Sequence, residues 1–283
     1  MTWFRPAGTL AADGDPVSLD PAGAGWEYCG LRVIAAAPGS STGIDLDGTE
    51  AAVVPLSGAC TVELDDGRRF VLTGRASVFA AVPDVMYLPP ATRFSLTTGS
   101  GGEFAVATAA ADRPGDPIHR SAAGIGIEVR GAGPASRQVN DLLPAGVPGP
   151  QRLIVVEVLT PAGNWSSYPP HKHDEATADE AALEEIYYFR VAGERGFGLH
   201  RTYTADGAVD ETVTVGDGDV YLVHRGYHGP CVAAPGYDLY YLNVMAGPER
   251  RWSICFDPAH RWVMDTWAGQ APDRRLPMTG AAG

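Results

Sequence analysis

Pro169-Pro170-His171-Lys172-His173, then Leu183-Glu184-Glu185-Ile186-Tyr187-Tyr188-Phe189, then Gly226-Tyr227-His228 are the stretches that decide how this chain folds. Side chains on a strand alternate between faces, so His-x-His places His171 and His173 on one side of one strand. Glu185 opens an apolar, aromatic run that reads as the next strand, and His228 sits in a glycine-marked turn that leads into another. Three imidazoles and one carboxylate from three strands would make a pocket for one divalent transition metal. Zn, Mn, Fe, Co and Ni all suit that donor set. Glu184 competes with Glu185, but only one of two adjacent strand residues can face inward. Glu185 shares its face with Tyr187 and Phe189, which favours it as the ligand.

Working outward, the chain has 283 residues, with Gly 35 and Pro 23 among them, a composition that favours many short strands over long helices. Runs such as Leu31–Ala35, Ala51–Leu56, Leu153–Leu159, Glu211–Val215 and Leu239–Met245 fit that pattern. Thr61–Leu64 and Arg69–Leu72 around Asp65-Asp66-Gly67 predict a hairpin. A net charge of -13 without a basic run argues against nucleic acid and anionic membrane as partners. Cys29, Cys60, Cys231 and Cys255 form no C-x-x-C pair and read as free thiols of a reducing compartment. The start, Met1-Thr2-Trp3-Phe4-Arg5-Pro6, lacks the apolar core of a signal peptide, and no run is long enough for a membrane span. The expectation is a soluble, cytoplasmic protein.

The strand pattern occurs in two sets, which predicts an all-β chain of two barrels or jelly rolls. Residues 1–125 form the first barrel, without a metal site, because no histidine precedes His119. Residues 126–150 form a connector in which Arg137–Leu143 reads as a short helix. Residues 151–283 form the metal-binding barrel, with an aromatic tail in which Trp252, Trp262 and Trp267 pack over a barrel or a subunit interface. Exposed strand edges and that tail favour a homo-oligomer.

The order His171-x-His173, Glu185, Gly193, Gly218 and His228 resembles the cupin pattern, with a long acidic insertion over 174–182 and His224 where cupins often carry Pro. The resemblance is more specific than that. Pro169–Asp174, Leu183–Arg190, Gly196–Thr204, Gly218–His228, Ala234–Gly247 and, near the start, Ala24–Leu31 and Pro55–Gly58 resemble the 5-deoxy-glucuronate isomerase family of inositol catabolism. His200 stands where that family usually has Gln. The resemblance spans nearly the whole chain and implies a bicupin, two jelly-roll β-barrels in one chain. It also implies an aldose–ketose isomerase that converts 5-deoxy-D-glucuronate, a small sugar acid, to 5-dehydro-2-deoxy-D-gluconate.

Such a reaction moves a proton between adjacent carbons, and a metal at His171, His173, Glu185 and His228 would stabilise the enediolate as a Lewis acid. Candidates for the base are Glu184, Tyr187, His200, Tyr203 and Tyr241, with Glu184, Tyr203 and Tyr241 carried forward as catalytic. The substrate carboxylate calls for a cation, preferably a planar fork. Of Arg190, Arg201 and Arg225, the first choices are Arg201 and Arg225, with Tyr187 beside them as a substrate contact. The alternatives are a bicupin metal-dependent dioxygenase, a related isomerase of the unsaturated uronate from pectin, and a non-catalytic cupin.

Overall fold

The computed structural model describes residues 3–280; Met1 and Thr2 of the expected leaderless start, and the last three residues of the 151–283 segment, lie outside it. The second half is built from two antiparallel sheets wrapped face to face. One has seven strands in the order Phe4–Arg5, Val220–Val223, Glu184–Val191, Leu239–Ala246, Ile154–Thr160, Arg137–Leu143 and Gly126–Arg130. The other is centred on Gly198–Tyr203 and Tyr227–Ala233, and Tyr227–Ala233 pairs with His171–Lys172. Between them lies an interior of Tyr187, Phe189, Val215, Tyr221, Cys231 and Tyr241. The first half closes a similar barrel around Val53, Val62, Leu72, Phe94, Leu96 and Phe104.

One long strand, Thr49–Leu64, serves both walls of the first barrel. It turns where its register slips between Gly58 and Cys60. Gly58 has φ 77°, and a Cβ there would stand 2.3 Å from the carbonyl oxygen of Gly101, so no other residue fits the bend. The expected Thr61–Leu64/Arg69–Leu72 hairpin is present, with Thr61 opposite Val71.

Alternation along Glu184–Val191 explains how the barrels meet. Glu185, Tyr187 and Phe189 point into the second barrel, whereas Ile186 and Tyr188 join Tyr240, Leu242 and Val244 on the reverse face. That face packs on Leu31, Val33, Val54, Ala105 and Ala107 of the first barrel in one continuous core. An ion pair is sealed into the joint: Arg75 donates to both oxygens of Glu157 at 3.0 and 2.8 Å, with both side chains wholly inaccessible. Asn140 and Tyr240 complete the carboxylate's partners.

The sequence expectations need three corrections here. Residues 126–150 contain two strands of the seven-stranded sheet, and Arg137–Leu143 is one of them, not a helix. Its polar residues Gln138 and Asn140 are buried at the joint, while Val139 faces the barrel interior, so neither face of the strand is turned to solvent there. Phe4–Arg5 pairs with Tyr221 and Val220, and therefore belongs to the second half's sheet despite its place in the chain. The chain end also returns to the joint, where Gln138 accepts from the amides of Met278 and Thr279.

The strands that meet at the joint correspond between the halves. Thr49–Leu64 and Glu184–Val191 occupy equivalent central places, each flanked by a strand that leads on to Cys29–Ala36 or to Ile154–Thr160. Glu50 accepts from the amides of Gln151, Arg152 and Leu153, and Glu184 from those of Glu27, Tyr28 and Cys29. Each barrel thus holds the first residues of the other's strand with one carboxylate. In this correspondence Ala51 takes the place of Glu185, so the first barrel has an apolar interior where the second has a buried carboxylate.

Candidate metal centre

Lys172 points away from the barrel and explains the acidic insertion. Its ammonium contacts Asp174, Glu175 and Glu180 at 2.7, 3.1 and 2.9 Å, and Glu180 accepts from the amides of Asp174 and Glu175. Arg251 ties the far side through the carbonyls of Thr177, Ala178 and Glu180. The insertion is therefore a pinned loop. Asp174 also accepts from the amide of Gly226 at 2.6 Å, which couples the His-x-His strand to the turn before His228. Gly226 has φ 87°, and a Cβ there would lie 2.6 Å from the carbonyl of Tyr203.

Both inner imidazoles are oriented by backbone carbonyls. His173 Nδ1 lies 3.1 Å from the carbonyl of Leu183, and His228 Nδ1 lies 3.3 Å from that of Gly226. Each carbonyl fixes its ring so that Nε2 is aimed at Glu185, the way backbone carbonyls orient metal-binding histidines. Nε2 of His173 is 3.0 Å and Nε2 of His228 3.1 Å from Oε2 of Glu185. The His228 contact lacks hydrogen-bond geometry, which leaves a buried nitrogen without a partner. Ligand atoms of the three residues lie within 4.8 Å of one another, and all three side chains are buried. His171 borders this trio, its ring 4.5 Å from that of His228 centre to centre.

The electrostatics agree with a cation-holding pocket. Burial works against charge on Glu185, but the imidazoles of His228 and His173 overcome it and hold the carboxyl below its usual range. His171 is pushed well below the usual imidazole range by burial and then by the two neighbouring imidazoles. On His173 burial opposes the proton, and the bond to Glu185 outweighs it. The set therefore favours a neutral outer imidazole and an ionised carboxylate, the forms that bind metal.

Beneath the trio, Ser167 Oγ links the hydroxyls of Tyr187 and Tyr241 at 3.2 and 3.1 Å. Burial raises both phenols, so they remain protonated. His200 is also inside, between Cys231 Sγ at 3.0 Å and Thr202 Oγ1 at 3.1 Å, and burial pushes it down to about 3. In front of His171 opens a cavity of about 360 Å³, walled by Tyr168, Phe256, Trp252, Trp267 and Arg137. Two of the tail tryptophans thus line this cavity, while Trp262 is exposed.

The other expected residues lie elsewhere. Glu184 faces the reverse of its strand and holds three amides of the first barrel, so it is out of reach of the pocket. Tyr203 and Arg201 alternate with the inward-facing His200 and Thr202 and so point outward. Tyr203 donates to Asp257, and Arg201 forms a fork with Asp210 at 2.9 Å. Arg225 is exposed on the turn before His228. Arg190 pairs with Glu103 and Asp217, and His224 accepts from the indole of Trp26. Arg137, which sequence reading passed over, lines the cavity in front of His171; burial, with Arg130 adding to it, brings its guanidinium down to about 10. Its signal in the sequence is its two-residue spacing from Val139, which becomes readable only once the segment is taken as a strand.

Two jelly-roll barrels in one chain, with a buried His/Glu centre in the second, define a bicupin with one candidate metal site among the described residues. The match to the KduI/IolB family model runs from residue 3 to residue 263, and the chain belongs to that family. It is 40% identical over 260 residues to the 5-deoxy-glucuronate isomerase of Geobacillus thermodenitrificans, covering 90% of this chain and 93% of that one. The Bacillus subtilis (strain 168) enzyme of the same name is 39% identical over 240 residues, covering 84% and 88%. Among solved structures, an IolB-like protein from Salmonella typhimurium LT2 superposes with a TM-score of 0.87 at 36% identity, covering 92% and 98%. Oxalate decarboxylase of Bacillus subtilis shares the fold at a TM-score of 0.62 and 12% identity, covering 89% and 76%.

Proposed function

We propose that this protein is a 5-deoxy-glucuronate isomerase acting in inositol catabolism, with its site in the second barrel. The observation that carries the reading is near-full-length identity of about two residues in five to isomerases of that name. His173, Glu185 and His228, with His171 beside them, would hold one divalent transition metal, a reading supported by the unpaired His228 nitrogen and the oriented imidazoles. An ion held there would supply Lewis acidity.

The chain's own groups supply proton donors and keep water from the site. Aldose–ketose isomerisation takes a proton from the hydroxyl-bearing carbon next to the aldehyde and places one on the aldehyde carbon. The Tyr241 and Tyr187 hydroxyls, kept protonated by burial and joined through Ser167, act as hydrogen-bond and proton donors at the substrate oxygens. Trp252, Phe256 and Trp267 restrict water in front of His171. Tyr241 takes the catalytic role and Tyr187 the substrate contact, while Glu184, Tyr203, Arg201 and Arg225 leave the scheme.

The first barrel serves structure, because its interior is apolar. The exposed edge strand Gly126–Arg130, with Ile127 and Val129 turned to solvent, supports association into a homo-oligomer, which light scattering on the purified protein would test. No helix among the described residues is long and apolar enough to cross a membrane, and the four cysteines are free, which supports a cytoplasmic place. Incubation with 5-deoxy-D-glucuronate and product analysis by NMR tests the function. Appearance of 5-dehydro-2-deoxy-D-gluconate is expected. Unchanged sugar acid, or oxygen consumption with cleavage, would contradict it.

A further inference from the structure

Three enclosed arginines of this protein show how it treats a guanidinium. Arg75, wholly inaccessible, receives Glu157 as a two-pronged partner together with two backbone carbonyls. Arg250 gives its N–H groups to the carbonyls of Leu153, Ala145, Val147, Leu143 and Pro144. Arg137 is treated differently. Among the described residues its guanidinium has no carboxylate within ion-pair distance, and the guanidinium's one hydrogen bond is from Nη1 to the carbonyl of Ala135 at 3.2 Å. It shares its cavity with a second cation, Arg130, whose charge is already engaged by Glu128 at 2.7 Å.

A charge held among apolar walls is costly without a counter-ion. Ile254, Phe256, Met264 and Trp267 supply those walls, and His171, at the edge of the metal trio, lines the same cavity. The volume, about 360 Å³, is in the range of small-ligand sites. The strand fixes the direction. Arg137 lies on the face of Val139, which packs in the barrel interior with Tyr241 and Val158, while Gln138 and Asn140 are committed to the joint. A planar fork with free N–H groups, set in a cavity beside the reactive centre, matches a carboxylate in two-pronged geometry.

We propose that Arg137 receives the carboxylate of the substrate and selects sugar acids over neutral sugars, with the aldehyde end lying toward His173, Glu185 and His228. The assignment of the ligand as a sugar acid rests on the isomerase reading above. It replaces Arg201 and Arg225, which the fold turns outward, with a residue on a strand that neither the His-x-His motif nor its neighbours include.

The test compares wild type, Arg137→Gln and Arg137→Lys on 5-deoxy-D-glucuronate and on its analogue with the carboxylate reduced to an alcohol. Calorimetric binding of the acid is measured in parallel. Arg137→Gln should lose on the order of 10²-fold in kcat/KM and in affinity for the acid, the scale of a charge-assisted hydrogen-bonded pair. Turnover of the alcohol should change by less than about threefold, and Lys should recover about tenfold of the loss by keeping the charge without the fork. Equal losses on acid and alcohol, or no loss on the acid, would overturn the assignment. A wild type that binds the acid without converting it would refute the isomerase reading alone, and the binding comparison would still decide Arg137. A wild type that neither converts nor binds it would refute both.

Discussion

Glu184 stands next to the candidate ligand Glu185 in sequence, and replacing it separates a structural role from a chemical one. Its two carboxylate oxygens accept from three consecutive amides, Glu27, Tyr28 and Cys29, at 2.8, 2.9 and 2.8 Å. Hydrogen bonds to a charged group contribute about 1.5–3 kcal/mol each. The Glu27 end is exposed, and water would replace part of that contact in Glu184→Ala, so about 3 kcal/mol in total is a reasonable sum. For a chain of this size that lowers Tm by roughly 6–10 °C. Glu185, the imidazoles and the tyrosines keep their positions on the other face of the strand, so kcat measured well below Tm should stay within about threefold. A catalytic base would give the opposite result, an unchanged Tm with a loss of about 10²–10⁴-fold in kcat. Thermal melting followed by circular dichroism, with kcat on 5-deoxy-D-glucuronate at 25 °C, distinguishes the two; the second outcome would refute the assignment of Glu184 to the joint.

Glu50, the counterpart of Glu184, is inaccessible and accepts from three amides and the Tyr87 hydroxyl, so Glu50→Ala should cost more stability than Glu184→Ala in the same melting assay. Arg75→Met strands the Glu157 carboxylate at the joint and should cost about 3–5 kcal/mol by urea denaturation, with much of it recovered in Arg75→Met/Glu157→Leu. His200 is held down to about 3 in the fold against about 6.5 in an unfolded chain. The unfolded state therefore binds the extra proton first, and stability is full above about pH 6.5 and falls as pH drops toward 3. The urea midpoint of His200→Gln should lose less over that window than wild type, and parallel curves would remove His200 as a cause.

Much of this was legible because strand alternation is a local rule. The choice of Glu185 over Glu184 as the inward residue, the shared face of Tyr187 and Phe189, and the hairpin at Asp66-Gly67 all follow from spacing two residues apart. The same rule, applied to Gly198–Tyr203, would have excluded Arg201 and Tyr203, since they alternate with the buried His200 and Thr202. Proximity to a motif along the chain outweighed it. Arg137–Leu143 was opaque for another reason. Its polar side chains are buried against a partner, Glu157, supplied by the next strand, and its apolar ones face a different core, so neither face reads as solvent. The reciprocal carboxylates Glu50 and Glu184 also depend on contacts between residues more than 100 apart, at 101 to 103 and 155 to 157 positions, beyond what a local pattern can encode.

The most direct test of the central claim is a side-by-side measurement of metal content and conversion of 5-deoxy-D-glucuronate for wild type and Glu185→Ala, with melting to confirm that the variant is folded. The account predicts about one divalent transition metal per wild-type chain and formation of the keto acid, and loss of most of both in a folded Glu185→Ala. Full conversion by Glu185→Ala would contradict it, because the second barrel's buried carboxylate could then not be part of the reactive centre.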